Sequence, residues 1–132
     1  MKAMSIPNNN ALTLHSRILC ADNSGAKEVD IISVFGHKHR KKQNPSAGIG
    51  SLVQVVIKKG KPEMKGKIKR AVIIRTRQEF KRPNGMRVKF EDNAVVLVDE
   101  DGLPKAYEIK GCVAKEVGER FPKIVGLAPV VI

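Results

Sequence analysis

Turn-forming residues repeatedly cut this chain into short β-branched runs, and that interruption restricts the fold more than any other feature. Arg17–Ala21 is the first run, closed by Asp22-Asn23-Ser24-Gly25. In that turn Asp and Asn side chains can bond their own backbone, and Gly accepts a positive φ. Val29, Ile31, Ser33 and Phe35 then alternate with Asp30 and Ile32, the period of two that marks a strand. Residues 36–50 form a long loop with a basic first half. Leu52–Ile57 is apolar on both faces and reads as a central strand. A basic excursion over 58–67 leads into a second long strand, Ile68–Gln78, centred on Ala71-Val72-Ile73-Ile74. Arg82-Pro83-Asn84-Gly85 carries the Asn-Gly pair of a tight hairpin. Beyond it Met86, Val88 and Phe90 alternate with Arg87 and Lys89, giving one core face and one cationic face. Ala94–Val98 is a further strand, ended by the turn Asp99-Glu100-Asp101-Gly102.

The ends of the chain differ in character. Val113, Val117 and Phe121 are spaced i, i+4, i+8, with Ala114 on their side, which predicts one short helix over 111–122 ended by Pro122. Residues 123–132 read as extended, and residues 1–10, with Pro7 before three Asn, as a loose lead-in. The expected fold class is therefore mainly β: a small five-stranded β-barrel with a short C-terminal helical region, one domain over 1–132. A chain of 132 residues buries enough surface to need no metal or disulfide staple.

Charge decides what such a barrel is for. The net charge is +12, yet residues 36–90 alone hold 17 Lys and Arg against two acids, Glu63 and Glu79. Solubility needs a net charge of only about 2–8 on a small domain, so the excess points to a polyanion. A membrane surface would call for a basic amphipathic helix with Trp or Phe on its other face, and this chain has no Trp and a basic region made of strands and loops. Nucleic acid fits better. The cations form three sets. His37, Lys38, His39, Arg40, Lys41 and Lys42 lie in the loop; Lys58, Lys59, Lys61, Lys65, Lys67, Lys69 and Arg70 surround the excursion; Arg75, Arg77, Lys81, Arg82, Arg87 and Lys89 flank the hairpin. If the strands close, these sets can converge on one side, each Lys neutralising a phosphate and each Arg able to grip two oxygens.

Other chemistry finds little footing. Gly60 and Gly66 precede Lys67 at a spacing one residue too long for a phosphate-binding P-loop, and Ile68 stands where the hydroxyl should be. His37 and His39 sit among cations that repel a metal, and Cys20 and Cys112 lack ligand spacing, so no metal and no cofactor is expected. The acidic turns at Glu91-Asp92 and Asp99–Asp101 read as strand ends, not as a general acid–base pair, and no nucleophile has a neighbouring base. Absence of an apolar stretch in residues 1–10 and reduced-looking cysteines give a cytosolic expectation. Three readings stay open on these grounds. One is a structural binder of folded RNA. Another is a single-strand binder stacking bases on Phe80 or Tyr107, and the last is a small nuclease working through Asp99. Aromatics at 4% of the chain leave few rings for stacking.

At the central hairpin the chain resembles a specific family. Ala71-Val72-Ile73-Ile74, then Asn84-Gly85, then Phe90, Asn93, Val96 and Leu97 match the signature of the universal large-subunit ribosomal protein L-fourteen family. Ala21-Asp22-Asn23-Ser24-Gly25-Ala26, Ala47-Gly48-Ile49-Gly50 and Val113-Ala114-Lys115-Glu116 are similar to it as well. The stretches 59–64 and 119–123 look like its archaeal and eukaryotic branch, while Tyr107-Glu108 departs from the small-and-basic pair of bacterial members. The resemblance implies a five-stranded barrel, no enzymatic activity and binding to large-subunit rRNA. It further implies contacts with neighbouring large-subunit proteins and with small-subunit rRNA at a bridge, in the cytoplasmic ribosome. Tyr107, Lys110, Lys115 and Arg120 are the residues expected at those protein and inter-subunit contacts.

Overall fold

The computed structural model describes residues 3–7, 9–37 and 40–132. Its strands in chain order are β1 (Leu12–Thr13), β2 (Arg17–Cys20), β3 (Ala26–Val34), β4 (Ser46–Ala47), β5 (Leu52–Gly60) and β6 (Ile68–Arg75), followed by β7 (Phe80–Lys81), β8 (Arg87–Val88), β9 (Ala94–Val98), β10 (Cys112–Val113) and β11 (Val130–Val131). Five of them close a barrel in the order β2-β3-β5-β6-β9. All contacts round the barrel are antiparallel except β2 against β9, which is parallel. Closure leaves no free sheet edge in the barrel, which removes the usual route to strand-on-strand aggregation.

The strand alternation sorts side chains into two cores. Ile18, Val29, Ile31, Val53, Val55, Ile57, Ala71, Ile73, Val95 and Leu97 fill the barrel interior. Their neighbours on β6 and β9, namely Val72, Ile74, Ala94, Val96 and Val98, point outward yet are equally buried, packed against Ile109, Val113, Val117, Phe121 and Ile124 of the C-terminal segment. β6 and β9 are thus apolar on both faces because they lie between the barrel lumen and a covering layer. β5, expected to be central, alternates instead: Val53, Val55 and Ile57 are buried while Leu52, Gln54 and Val56 are only partly so. Each fully buried aliphatic is worth about 1.5–3 kcal/mol, so the covering layer is a large share of the fold.

Both chain ends differ from the sequence expectation. No single helix spans 111–122. Cys112–Val113 pairs as a strand with Val130–Val131, a 3-10 helix covers Lys115–Glu119, and α1 runs Pro122–Leu127. Pro122 begins the α-helix where it was expected to end one, because the first helical position needs no N–H and welcomes the fixed φ of proline. The i, i+4, i+8 spacing was real but marked three residues that seal β6 and β9 through a broken path. Residues 3–7 of the lead-in are not loose either. Ile6 is buried, Ser5 donates its N–H to Glu119 at 2.8 Å, and Met4 packs so closely on Gly50 that a Cβ there would meet it at 2.6 Å.

Candidate nucleic-acid interface

The ladder register decides where the basic sets lie. Val34 pairs with Val53, and Leu52 with Val72, at one rim of the barrel; Ala26 pairs with Gly60, and Val56 with Ile68, at the other. The 35–51 loop and the hairpin that follows β6 therefore leave from the first rim. The excursion over 61–67 turns at the second. The segments carrying two of the three sets thus leave from the same rim, and antiparallel pairing of β5 with β6 sends the third to the opposite end.

At the first rim Arg40, Lys41 and Lys42 are exposed, with Lys42 at a left-handed φ of 70° in a tight turn. Lys38 and His39 lie outside the described residues. Lys81 is exposed on the hairpin. Arg87 is exposed but paired with Glu79 at 2.6 Å, and Arg77 donates its Nε–H to the Glu91 carbonyl at 2.8 Å, which leaves its charge uncompensated. The hairpin itself is closed by Arg82 N–H to Met86 O at 2.8 Å around Asn84-Gly85. At the second rim Lys61, Lys65 and Lys67 are exposed and have no carboxylate partner among the described residues.

Along the wall between the rims, cations are largely matched. Lys59 pairs with Glu28 at 3.1 Å, Arg17 with Asp30 at 3.2 Å, and Lys58 approaches Asp30 at 4.0 Å. Lys105 pairs with Asp99 at 2.7 Å, and that hydrogen bond raises its pKa. The neighbouring Lys105 ammonium in turn holds the pKa of Lys69 below the ordinary lysine value. Asp99, the carboxylate of the nuclease reading, is therefore tied to a lysine.

Two expected phosphate contacts are corrected by burial. Arg75 grips Asp92 with Nε at 2.9 Å and a second nitrogen at 3.1 Å, and donates to the carbonyls of Lys110 and Cys112 at 3.0 and 2.9 Å. A register shift between Ile73 and Arg75 re-aims it toward the covering layer. Arg82 reaches Glu116 with Nε at 2.6 Å and the Ile132 main-chain oxygen at 2.6 Å, and its guanidinium lies 5.7 Å from the centre of the Phe80 ring. Glu116 is buried, so this guanidinium neutralises an internal charge. Both arginines hold the C-terminal segment in place.

Of the residues expected at protein contacts, Tyr107 is 91% exposed and Lys110 and Lys115 are exposed. Arg120 is half-buried, donating to the Gly50 carbonyl at 3.3 Å. Phe80 is buried and stacks on Phe90 with ring centres 6.4 Å apart, so it offers no face to a base. Phe35 is half-buried beneath the Arg70 guanidinium at 5.3 Å. Among the described residues no group of three or more potential metal ligands comes together, and no helix is long and apolar enough to cross a membrane. Sequence reasoning missed Lys27, which stands exposed at the second rim directly after the Asp22–Gly25 turn. Strand alternation after the buried Ala26 was the signal that could have found it.

The family model for ribosomal protein L14p/L23e matches residues 11–132. A large ribosomal subunit protein uL14 of Methanocorpusculum labreanum is 48% identical over 132 residues, covering all of both chains, and that of Methanoregula boonei is likewise 48% identical over 132. The uL14 of Methanothrix thermoacetophila is 53% identical over 113 residues, or 86% of each chain.

Proposed function

The chain belongs to the ribosomal protein L14p/L23e family, and from that premise we propose that it is a structural, non-enzymatic constituent of the large ribosomal subunit in the cytoplasm. Its role is to bind large-subunit rRNA through exposed cations on both rims, as a single rRNA-binding domain across 1–132. The observation that carries the reading is the sorting of charge. Wall and interior cations are largely matched by carboxylates, while Arg40, Lys41, Lys42, Lys61, Lys65, Lys67 and Lys81 stand exposed at the rims without such partners among the described residues. Cations held at two ends of a rigid barrel suit a folded RNA recognised by shape and phosphate position. Tyr107, Lys110, Lys115 and Arg120 are the residues we assign to neighbouring large-subunit proteins and to small-subunit rRNA at a bridge. The single-strand reading lacks support, since of the four Phe and Tyr107 only Tyr107 is well exposed.

The test is binding to large-subunit rRNA across salt. Neutralising about six phosphates costs about a thousand-fold in affinity between about 50 and 200 mM salt. Affinity indifferent to salt over that range, or failure to sediment with large subunits, refutes the reading.

A further inference from the structure

The second rim holds a pocket of about 350 Å³ between the Asp22–Gly25 turn and the start of the excursion, into which Lys27, Lys61 and Lys110 all line up. None of the three has a carboxylate partner among the described residues, in contrast to Lys59, Lys105, Arg75 and Arg82. Three like charges round one concavity repel each other and focus a positive potential into it. An anion seated there would relieve that repulsion.

The frame is built to hold them there. Asp22 is buried, and its carboxylate accepts from Ser24 N–H at 3.1 Å, Cys20 Sγ at 3.2 Å and Leu97 N–H at 2.9 Å, as well as from the Ser24 hydroxyl. Its charge is spent inside the turn. Lys61 N–H donates to Gly25 O at 2.9 Å and Lys110 N–H to Ala21 O at 2.6 Å, which pins two of the lysines to the turn by their main chain. Gly25 lies flush under the Lys61 stem: a Cβ there would sit 2.8 Å from Lys61 Cδ. A Cβ on Gly60 would come 2.5 Å from the Gly25 carbonyl oxygen, so the close approach requires glycine at 60, while the φ of 101° favours glycine at 25.

We propose that this pocket seats one phosphate group of the RNA backbone, with Lys27, Lys61 and Lys110 as its ligands and the Asn23 side chain beside them. The proposal rests on the rRNA-binding reading above, and it moves Lys110 from the protein contacts to the RNA. A phosphate is favoured over an acidic peptide because the lining is three lysines, the Asn23 amide, two glycines, the small Ala26 and Asp22, whose buried carboxylate is taken up by Ser24 and Leu97, without the large aromatic or aliphatic anchor that a protein hot spot uses.

Two measurements test it on the full chain and on the triple variant Lys27→Gln/Lys61→Gln/Lys110→Gln, whose exposed positions leave the barrel packing untouched. In the first, inorganic phosphate is titrated at constant ionic strength while amide shifts are followed. Saturable shifts confined to 23–27 and the neighbourhoods of Lys61 and Lys110 are expected in the parent and not in the variant. Absent shifts, or shifts that survive in the variant, overturn the pocket. In the second, the slope of log affinity for large-subunit rRNA against log salt is compared, and losing one phosphate contact makes it shallower by about one. An unchanged slope beside a steeply salt-dependent parent overturns the RNA assignment alone. A parent that takes up phosphate yet ignores rRNA overturns the proposed function, and the RNA assignment with it.

Discussion

Arg82 separates a structural cation from an RNA contact more sharply than any other residue here. Its guanidinium and the Glu116 carboxylate are 9% and 2% exposed as side chains and meet at 2.6 Å, with a second contact at 3.3 Å. Arg82→Met keeps most of the volume but leaves Glu116 charged in a dry site. Removing one partner of a buried pair costs about 3–5 kcal/mol. For a chain of this size that lowers Tm by roughly 10–20 °C. Glu116→Leu strands the guanidinium and is expected to cost a similar amount. The double variant Arg82→Met/Glu116→Leu removes both desolvated charges and recovers most of the loss, because an apolar pair of similar volume is often neutral against a buried ion pair. Thermal unfolding followed by circular dichroism reads all three. The salt slope of rRNA binding, measured below the unfolding range, is expected to be unchanged in the double variant. A single variant within about 1 kcal/mol of the parent, or a double variant as damaged as either single, would refute the pairing. A normal Tm with a shallower salt slope would return Arg82 to the RNA.

Reversing charge at Arg40 and Lys41 together is expected to weaken incorporation into large subunits while leaving Tm within about 1 °C, since both are exposed surface residues; unchanged incorporation removes that loop from the interface. Burial, reinforced by the Asp22 carboxylate, pushes the Cys20 thiol from its ordinary 9.0 up to about 12. Native Cys20 should then be alkylated about a thousand-fold more slowly than in denaturant at the same pH, because the thiolate is the reactive form, and equal rates would show it to be solvated. As the folded pKa is raised, the associated stability is complete below pH 9.0 and is lost as pH climbs toward about 12. Unfolding curves in that alkaline window, compared with Cys20→Ala, check the sign.

The barrel was legible in the sequence because its signals are local. The alternation at Val29–Phe35 and the apolar run Ala94–Val98 specify two of its strands, and the Asn84-Gly85 turn specifies the small β7–β8 hairpin beside it, each without help from distant residues. The C-terminal segment was not legible in the same way. Val113, Val117 and Phe121 announce that three side chains face one apolar surface, but helical spacing is only one of the paths that bring them there. The surface they meet, Val72, Ile74, Val96 and Val98, lies on strands far back in the chain. Likewise, nothing local in Leu52–Ile57 tells a strand covered on both faces from one covered on the inside only.

Charge shows the same division between what composition counts and what the fold assigns. Seventeen basic residues over 36–90 look alike in the sequence, yet the ladder register divides them by position before any partner is involved. Inward and wall positions bring a cation opposite Asp30, Glu28, Asp92 or Glu116, each supplied from elsewhere in the chain. Of the cations that project beyond the ladder, Arg87 is met by Glu79 and Arg82 by Glu116, while Arg40, Lys41, Lys42, Lys61, Lys65, Lys67 and Lys81 have no such partner among the described residues. A residue's value to a polyanion therefore follows from strand direction: β5 and β6 carry cations to both ends because they run antiparallel. The same reasoning brings in Lys27 and Lys110, which stand outside the basic stretch in sequence but on the same rim as Lys61. Net charge gives the sign of the partner; the barrel's register gives the addresses at which it is met.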